Sequence, residues 1–177
     1  TIKPGIHIEP FLGNLPFWTL TYEWWFYFLF FPIYCFFLKK PWRLYIVTLF
    51  SLTSFLIYTQ TPNIVSLVCS YFILWWSGLE LATLVHRKSL SWKALSPTLT
   101  AVAGMAIVTL IPVFFVEKIA LGYYPFVVFR HFFAVLLFLI VAKVWYSRRP
   151  KLIHHFLSPF RKISPISYAL YLFHYPI

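Results

Sequence analysis

Long apolar runs separated by short polar segments constrain the fold of this chain more than any other feature. Six such runs occur, at 18–38, 44–60, 64–85, 97–116, 124–146 and 164–177. Each of the first five is about long enough to cross a hydrocarbon core of about 30 Å as a helix. Hydrophobic residues make up 61% of the sequence and charged residues 11%, whereas a soluble domain carries about 25% charged residues. We therefore predict an all-α fold, a polytopic transmembrane helix bundle with six spans.

The basic residues lie mainly on one side of this predicted bundle. Twelve of the fifteen lysines and arginines follow the first, third or fifth run. Because basic loops of membrane proteins face the cytoplasm, we expect segment 1–17 to lie outside and the first run to enter from the outer side. The chain is then a multi-pass protein of the inner (plasma) membrane, and the lipid bilayer is its first partner.

The net charge of +11 does not indicate a nucleic-acid partner. Nucleic-acid binding needs a basic face interleaved with base-stacking aromatic residues, and here the aromatic residues lie inside the apolar runs. A metal site is not expected either. Cys35 and Cys69 lack metal-ligand spacing, and the pair His154-His155 has no carboxylate or cysteine nearby in the sequence.

Three ionisable residues within the runs are candidates for catalysis. Glu23 stands among aromatic residues at the outer end of the first run, where a carboxylate is costly unless it is paired or protonated. His131 and His174 lie in the fifth and sixth runs. An imidazole and a carboxylate can together deprotonate a hydroxyl nucleophile. The alternative is structural: each of the three forms hydrogen bonds within the bundle.

Two other charged residues in the runs have simpler explanations. Arg130 can extend outward to neutralise Glu117 or Glu23, or it can serve as an interfacial anchor. Glu80 lies near the inner end of the third run, and we expect it to pair with Arg87 or Lys88 of the adjoining loop.

Two motifs resemble signatures of acyltransferase family 3, the bacterial multi-span enzymes that acylate surface glycans. Residues 16–27 (PFWTLTYEWWFY), followed by Phe30-Phe31-Pro32, resemble the signature WSL-x-x-E-x-x-FY…FP. Residues 166–176 (ISYALYLFHYP) resemble the signature ISYSLYLWHWP, and the separation of roughly 140 residues also fits. Thr19 replaces the usual serine, and Trp24-Trp25 stands where the family often has other residues.

The resemblance implies an enzyme that transfers an acyl group, commonly acetyl, from acyl-CoA to a sugar hydroxyl. Its catalytic residues are then Glu23, His131 and His174, with acyl-CoA as a co-substrate, a glycan as the acceptor and no bound cofactor. The phosphates of coenzyme A meet the basic inner loops, and the acceptor glycan meets the aromatic outer half. The expected coenzyme A contacts are Arg87, Lys88, Arg148 and Arg149, and the expected substrate contacts are Trp18, Tyr27, Arg130, Tyr168 and Tyr171.

The same resemblance bears on domain organisation. The first residue is threonine, and no cleavable signal peptide is evident. The arginine and histidine of the family's first span have no counterpart in this sequence, so we expect residues 1–177 to be the C-terminal part of one membrane acyltransferase domain, inactive by itself. The alternatives are a processed small protein, a transporter or glycan flippase that uses the same charges without making a bond, and an inactive truncated remnant.

Overall fold

The computed structural model describes residues 17–37, 42–115 and 124–148, and these parts are helices joined by short turns without any strand. The prediction of an all-α fold is confirmed for them, and the sixth apolar run lies outside them. The elements are α1 (Phe17–Phe37), α2 (Arg43–Gln60), α3 (Ile64–Ser70), α4 (Phe72–His86), α5 (Trp92–Leu110), a 3-10 helix (Ile111–Phe115) and α6 (Tyr124–Arg148).

Three stretches of the described residues are long and apolar enough to cross a membrane. They are Ile64–His86, Trp92–Phe115 and Phe126–Arg148, which correspond to the third, fourth and fifth predicted runs. The helices α1 and α2 coincide with the first two runs but are not among these three stretches. The chain therefore has a transmembrane helical architecture with three candidate spans, and the full set of six stays a prediction.

Polar side chains fix where several helices begin and end. The Oδ1 atom of Asn63 accepts a hydrogen bond from the N–H of Ser66 at the start of α3. The hydroxyl of Ser91 accepts one from the N–H of Ala94 at the start of α5. Both are N-caps that satisfy amide groups without an intrahelical partner. Beyond the end of α4, Lys88 adopts a positive φ of 54°, the left-handed conformation that often closes a helix.

Aromatic side chains form the contact between α1 and α4. Phe26 meets Phe72 with ring centroids 5.9 Å apart, and Phe30 meets Trp75 and Trp76 at 5.5 and 6.1 Å. Phe72 and Trp76 are fully buried, so they lie at the centre of the core. Edge-on and tilted aromatic contacts of this kind add to the packing energy of the buried rings.

One residue interrupts the helix within the span Ile64–His86. Tyr71 forms a turn between α3 and α4, and its N–H donates to the carbonyl of Val68 at 3.0 Å. Two residues later, the N–H of Ile73 donates to the hydroxyl of Ser51 on α2, which is completely buried. A backbone amide inside a bilayer needs a protein partner because no water reaches it. The hydroxyl of Ser51 supplies that partner at the interruption.

Contacts between the helices agree with the alternating directions that the runs predict. Arg43 at the start of α2 meets Glu80 late in α4, and Trp92 at the start of α5 meets Lys143 late in α6. These pairs of helices are antiparallel. In contrast, Tyr71 contacts residues early in both α1 and α6. The described helices therefore carry polar side chains at two depths, or polar levels. One includes the turn between α3 and α4 and the early parts of α1 and α6, and the other is near the first residues of α2 and α5.

Candidate functional site

A hydroxyl–imidazole pair connects the interruption between α3 and α4 with α6. The hydroxyl of Tyr71 lies 2.9 Å from Nδ1 of His131, which is a hydrogen-bond distance. The ring of Tyr71 stacks on Phe132 with centroids 6.2 Å apart, and it contacts the ring of Tyr22 at 5.9 Å. We call Tyr22, Tyr71, His131 and Phe132 the Tyr71 cluster. It brings a phenol and an imidazole, two groups able to donate hydrogen bonds, to one level of the bundle.

Two of the three predicted catalytic residues, Glu23 and His131, lie in the described part of the chain. Glu23 directly follows Tyr22 on α1, and its side chain is half-buried. The structure therefore places Glu23 and His131 on helices that meet at the Tyr71 cluster. His131 is exposed apart from its contact with Tyr71, so its ring can meet a ligand. His174 lies outside the described residues.

An open cavity of about 720 Å³ lies at the other polar level. Arg43 at the start of α2, Glu80 and Arg87 on or next to α4, and Tyr34 on α1 contribute to its wall. His86 and Thr83 also line it. Two guanidinium groups against a single carboxylate make the described wall basic, and guanidinium groups are well suited to bind phosphate.

The structure corrects the expected partner of Glu80. Its carboxylate does not pair with Arg87 or Lys88; it forms two hydrogen bonds of 2.7 Å with the guanidinium of Arg43. The indole N–H of Trp76 donates to the same carboxylate at 3.0 Å. The reason is geometric. Arg43 begins an antiparallel neighbouring helix at the same level, whereas Arg87 and Lys88 lie past the end of α4.

The predicted substrate contacts occupy different environments. Tyr27 is exposed and meets Trp75 edge-on, with centroids 5.7 Å apart. The guanidinium of Arg130 lies over the ring of Phe126, 5.9 Å from its centroid, an arrangement typical of a cation–π contact. Trp18 belongs to the first turn of α1. The side chain of Trp18, together with Tyr168 and Tyr171, lies outside what the structure describes.

The residues predicted to contact coenzyme A do not all lie at the cavity. Arg87 lines the cavity, and Lys88 is the next residue and is exposed. Arg148 is exposed at the end of α6 and does not line the cavity. Arg149 lies outside the described residues. Within the described ranges, no group of three histidines, cysteines or carboxylates is placed to hold a metal ion.

Comparison with known families identifies the class of this bundle. Residues 5–177 match the family model of acyltransferase family 3, described as an acyltransferase domain. The chain belongs to this acyltransferase family. No curated protein matches it. No solved structure matches it either. The acyltransferase is thus a membrane protein of a transferase family.

Sequence reasoning missed two residues that organise this acyltransferase. Tyr71 was hidden among many aromatic residues, although it stands seven positions into the third run, as His131 stands seven positions into the fifth. This equal depth allows the two side chains to meet, but it does not by itself identify their helices as neighbours. Arg43 was counted only as one of the basic inner residues. Its place directly before an apolar run, opposite a lone glutamate on another run, is the signal for the Arg43–Glu80 pair.

Proposed function

We propose that this acyltransferase moves an acyl group, commonly acetyl, from a cytoplasmic acyl-CoA to a hydroxyl of a cell-surface or periplasmic glycan. The observation that carries the proposal is the presence of two polar levels in one bundle of an acyltransferase family. One level is a basic cavity, and the other has the imidazole of His131 beside Tyr71, which also contacts Tyr22, the neighbour of Glu23 on α1. A donor and an acceptor from opposite sides of a membrane need such an arrangement.

The basic cavity is suited to the donor. Coenzyme A is anionic, and Arg87 on the cavity wall offers a guanidinium to its phosphates. Lys88, Arg148 and Arg149 add positive charge to the same predicted cytoplasmic side, which attracts anions electrostatically. From Glu80 in the cavity to Tyr71 is nine residues, which corresponds to roughly 14 Å along the helix axis. The acyl thioester has to cover that distance to reach the Tyr71 cluster.

The level of the Tyr71 cluster is suited to the acceptor. Glu23 and His131 supply groups for proton transfer and charge stabilisation, and His174 joins them in our proposal. The aromatic side chains of Trp18, Tyr27, Tyr168 and Tyr171 offer faces on which sugar rings can stack. Arg130 offers hydrogen bonds to sugar hydroxyl groups.

The proposed reaction is a direct acyl transfer. The glycan hydroxyl oxygen attacks the thioester carbonyl carbon, and its proton passes to the base formed by Glu23 with His174. A C–O ester bond forms and the C–S bond breaks. The leaving thiolate takes up one proton, so that the products are an acylated glycan and coenzyme A with a free thiol.

The pattern of apolar runs suggests the number and the orientation of the membrane spans. We infer six spans in residues 1–177, with the basic cavity toward the cytoplasm and the Tyr71 cluster toward the periplasm, in the inner membrane. The excess of basic residues after the odd-numbered runs supports this orientation. The antiparallel contacts between α2 and α4 and between α5 and α6 are consistent with it.

The proposal is tested with the complete protein, purified in lipid nanodiscs. Acetyl-CoA labelled in its acetyl group is supplied with membrane glycan fractions, and label in the glycan is measured. We expect transfer in the wild type and a loss of about 100-fold or more in Glu23→Gln, because the amide cannot accept a proton. The matched control is Glu117→Gln, a carboxylate beyond the fourth run, which should keep wild-type activity.

The same experiment distinguishes acyl transfer from the two alternatives. A transporter or glycan flippase uses its buried charges to bind and move a ligand, so it leaves the acetyl label on coenzyme A. An inactive remnant neither moves the glycan nor transfers label. Wild-type acetylation by Glu23→Gln would remove this residue from the mechanism while keeping the acyltransferase.

A further inference from the structure

The Tyr71–His131 contact relates the direction of one hydrogen bond to the position of the proton on the imidazole. A phenol is a stronger hydrogen-bond donor than acceptor because its oxygen bears an acidic proton. Nδ1 of His131 lies 2.9 Å from this hydroxyl. When the hydroxyl donates, Nδ1 uses its lone pair as the acceptor, and a neutral imidazole must then carry its proton on Nε2.

Two ring contacts and one nearby backbone hydrogen bond fix the position of Tyr71. Its ring stacks on Phe132 at an interplanar angle of 15° and meets Tyr22 on α1. Its backbone forms the turn between α3 and α4, which is stabilised where the hydroxyl of Ser51 accepts from the N–H of Ile73 at 3.1 Å. A side chain and a backbone fixed in this way keep the donor at one position relative to α6. Such preorganisation is what a catalytic constellation requires.

We propose that Tyr71 is a positioning residue that holds His131 as the Nε2–H tautomer, so that His131 donates a hydrogen bond to the acyl carbonyl oxygen during transfer. This inference rests on the proposed acyl-transfer function and deepens it. The proton stays on Nε2 throughout, and no bond to His131 forms. The hydroxyl proton of the acceptor passes to the carboxylate base, so the two roles belong to different residues.

The surroundings of His131 fit a donor better than a base. His131 is an exposed residue, and Nδ1 is the atom in contact with Tyr71, which leaves Nε2 for a substrate. The adjacent Arg130 is a cation, and together with the N–H it favours the negative charge that develops on the carbonyl oxygen in the transition state. Fixed donors directed at such an oxygen are a large source of rate enhancement.

Steady-state kinetics of the complete enzyme test the positioning role. Tyr71→Phe removes only the hydroxyl and keeps the stacked ring. We expect kcat to fall at least about tenfold with KM changed by less than about twofold, because the lost interaction acts in the transition state. The matched control is Tyr45→Phe, an exposed tyrosine on α2, which should behave as the wild type. An unchanged kcat in Tyr71→Phe overturns the inference and leaves the acyltransferase function intact.

The tautomer itself is measured by nitrogen NMR on protein labelled in histidine, with the signal of His131 assigned from its loss in His131→Gln. We expect Nε2–H in the wild type and a mixture with Nδ1–H in Tyr71→Phe. A wild-type signal with the proton on Nδ1 overturns the inference. This readout needs no catalysis, so it decides the tautomer even if the wild type transfers no acyl group and the proposed function fails.

Two substitutions of His131 distinguish Nε2, the proposed donor, from Nδ1, the nitrogen in contact with Tyr71. The amide of His131→Gln reaches the position of Nε2, whereas the amide of His131→Asn reaches only the position of Nδ1. We expect the glutamine variant to keep at least about tenfold more kcat, because one directed donor is worth that much or more. Equal kcat values, or the reverse order, contradict the donor role of Nε2.

Discussion

At the scale of single residues, the Arg43–Glu80 pair shows how a charge is accommodated inside an apolar bundle. Both oxygens of the carboxylate accept from the guanidinium, and the indole of Trp76 supplies a third hydrogen bond. The exposed fractions of the two side chains are 23% and 13%. A bidentate pair shielded to this degree is worth more than a surface ion pair, because water competes less with it.

We expect Glu80→Gln to lower the free energy of unfolding by roughly 2–3 kcal/mol, since the neutral amide no longer balances the partly buried charge of Arg43. Thermal unfolding in one detergent measures the change. The matched control is Arg87→Gln, an exposed side chain on the same cavity wall, which should melt as the wild type does.

A double variant completes this test. When Arg43→Gln is added to Glu80→Gln, the combined loss should be clearly smaller than the sum of the single losses, because both remove one interaction. Additive losses would mean that the two side chains do not stabilise each other.

The ion-pair partner of Glu80 could not be predicted from the sequence. Local charges past the end of α4 suggested Arg87 or Lys88, whereas the true partner is 37 residues earlier in the chain. The pairing depends on how α2 packs on α4. No sequence pattern within one run contains that information.

At the scale of helices, the run pattern predicted most of the elements, because a helix is the form in which an isolated segment satisfies its own backbone in lipid. It did not predict the turn at Tyr71. The third run has no proline or glycine near that position. At the turn, a hydroxyl from α2 accepts from the N–H of Ile73, and such a contact is a property of the packed pair of helices.

We expect Ser51→Ala to lower the free energy of unfolding by about 1–3 kcal/mol, because it leaves a buried N–H without its acceptor. Ser54→Ala is the matched control on the same helix. The hydroxyl of Ser54 donates to the carbonyl of Phe50 within α2, so its loss leaves no amide unpaired. Equal denaturation midpoints for the two variants would contradict the role of Ser51.

At the scale of the whole molecule, the directions of the helices determine which polar level faces which compartment. The excess of basic residues predicts that the turn between α4 and α5 is cytoplasmic and that the turn between α2 and α3 is periplasmic. The all-α architecture could be predicted from composition and run length. The meeting of α1 and α6 at Tyr71 could not, because equal depth does not tell which helices are neighbours.

Single-cysteine labelling tests this orientation after Cys35 and Cys69 are replaced by serine. A maleimide that cannot cross membranes should label Thr61→Cys in intact spheroplasts, because this position lies between α2 and α3 on the predicted outer side. It should label Ser89→Cys only after the membrane is opened. Both native side chains are exposed, so each introduced thiol is reachable. The opposite labelling pattern would reverse the assignment of donor and acceptor sides.

The hydrogen bond from the N–H of Ile73 to the hydroxyl of Ser51 has a consequence for biogenesis. A peptide of the third span alone, inserted in a micelle, lacks this acceptor, so its amide groups are best satisfied by an uninterrupted helix. We therefore expect the interruption at Tyr71 to require the packing of α2 against this span. We also expect the contact between Tyr71 and His131 to form only after α2 has packed against the third span.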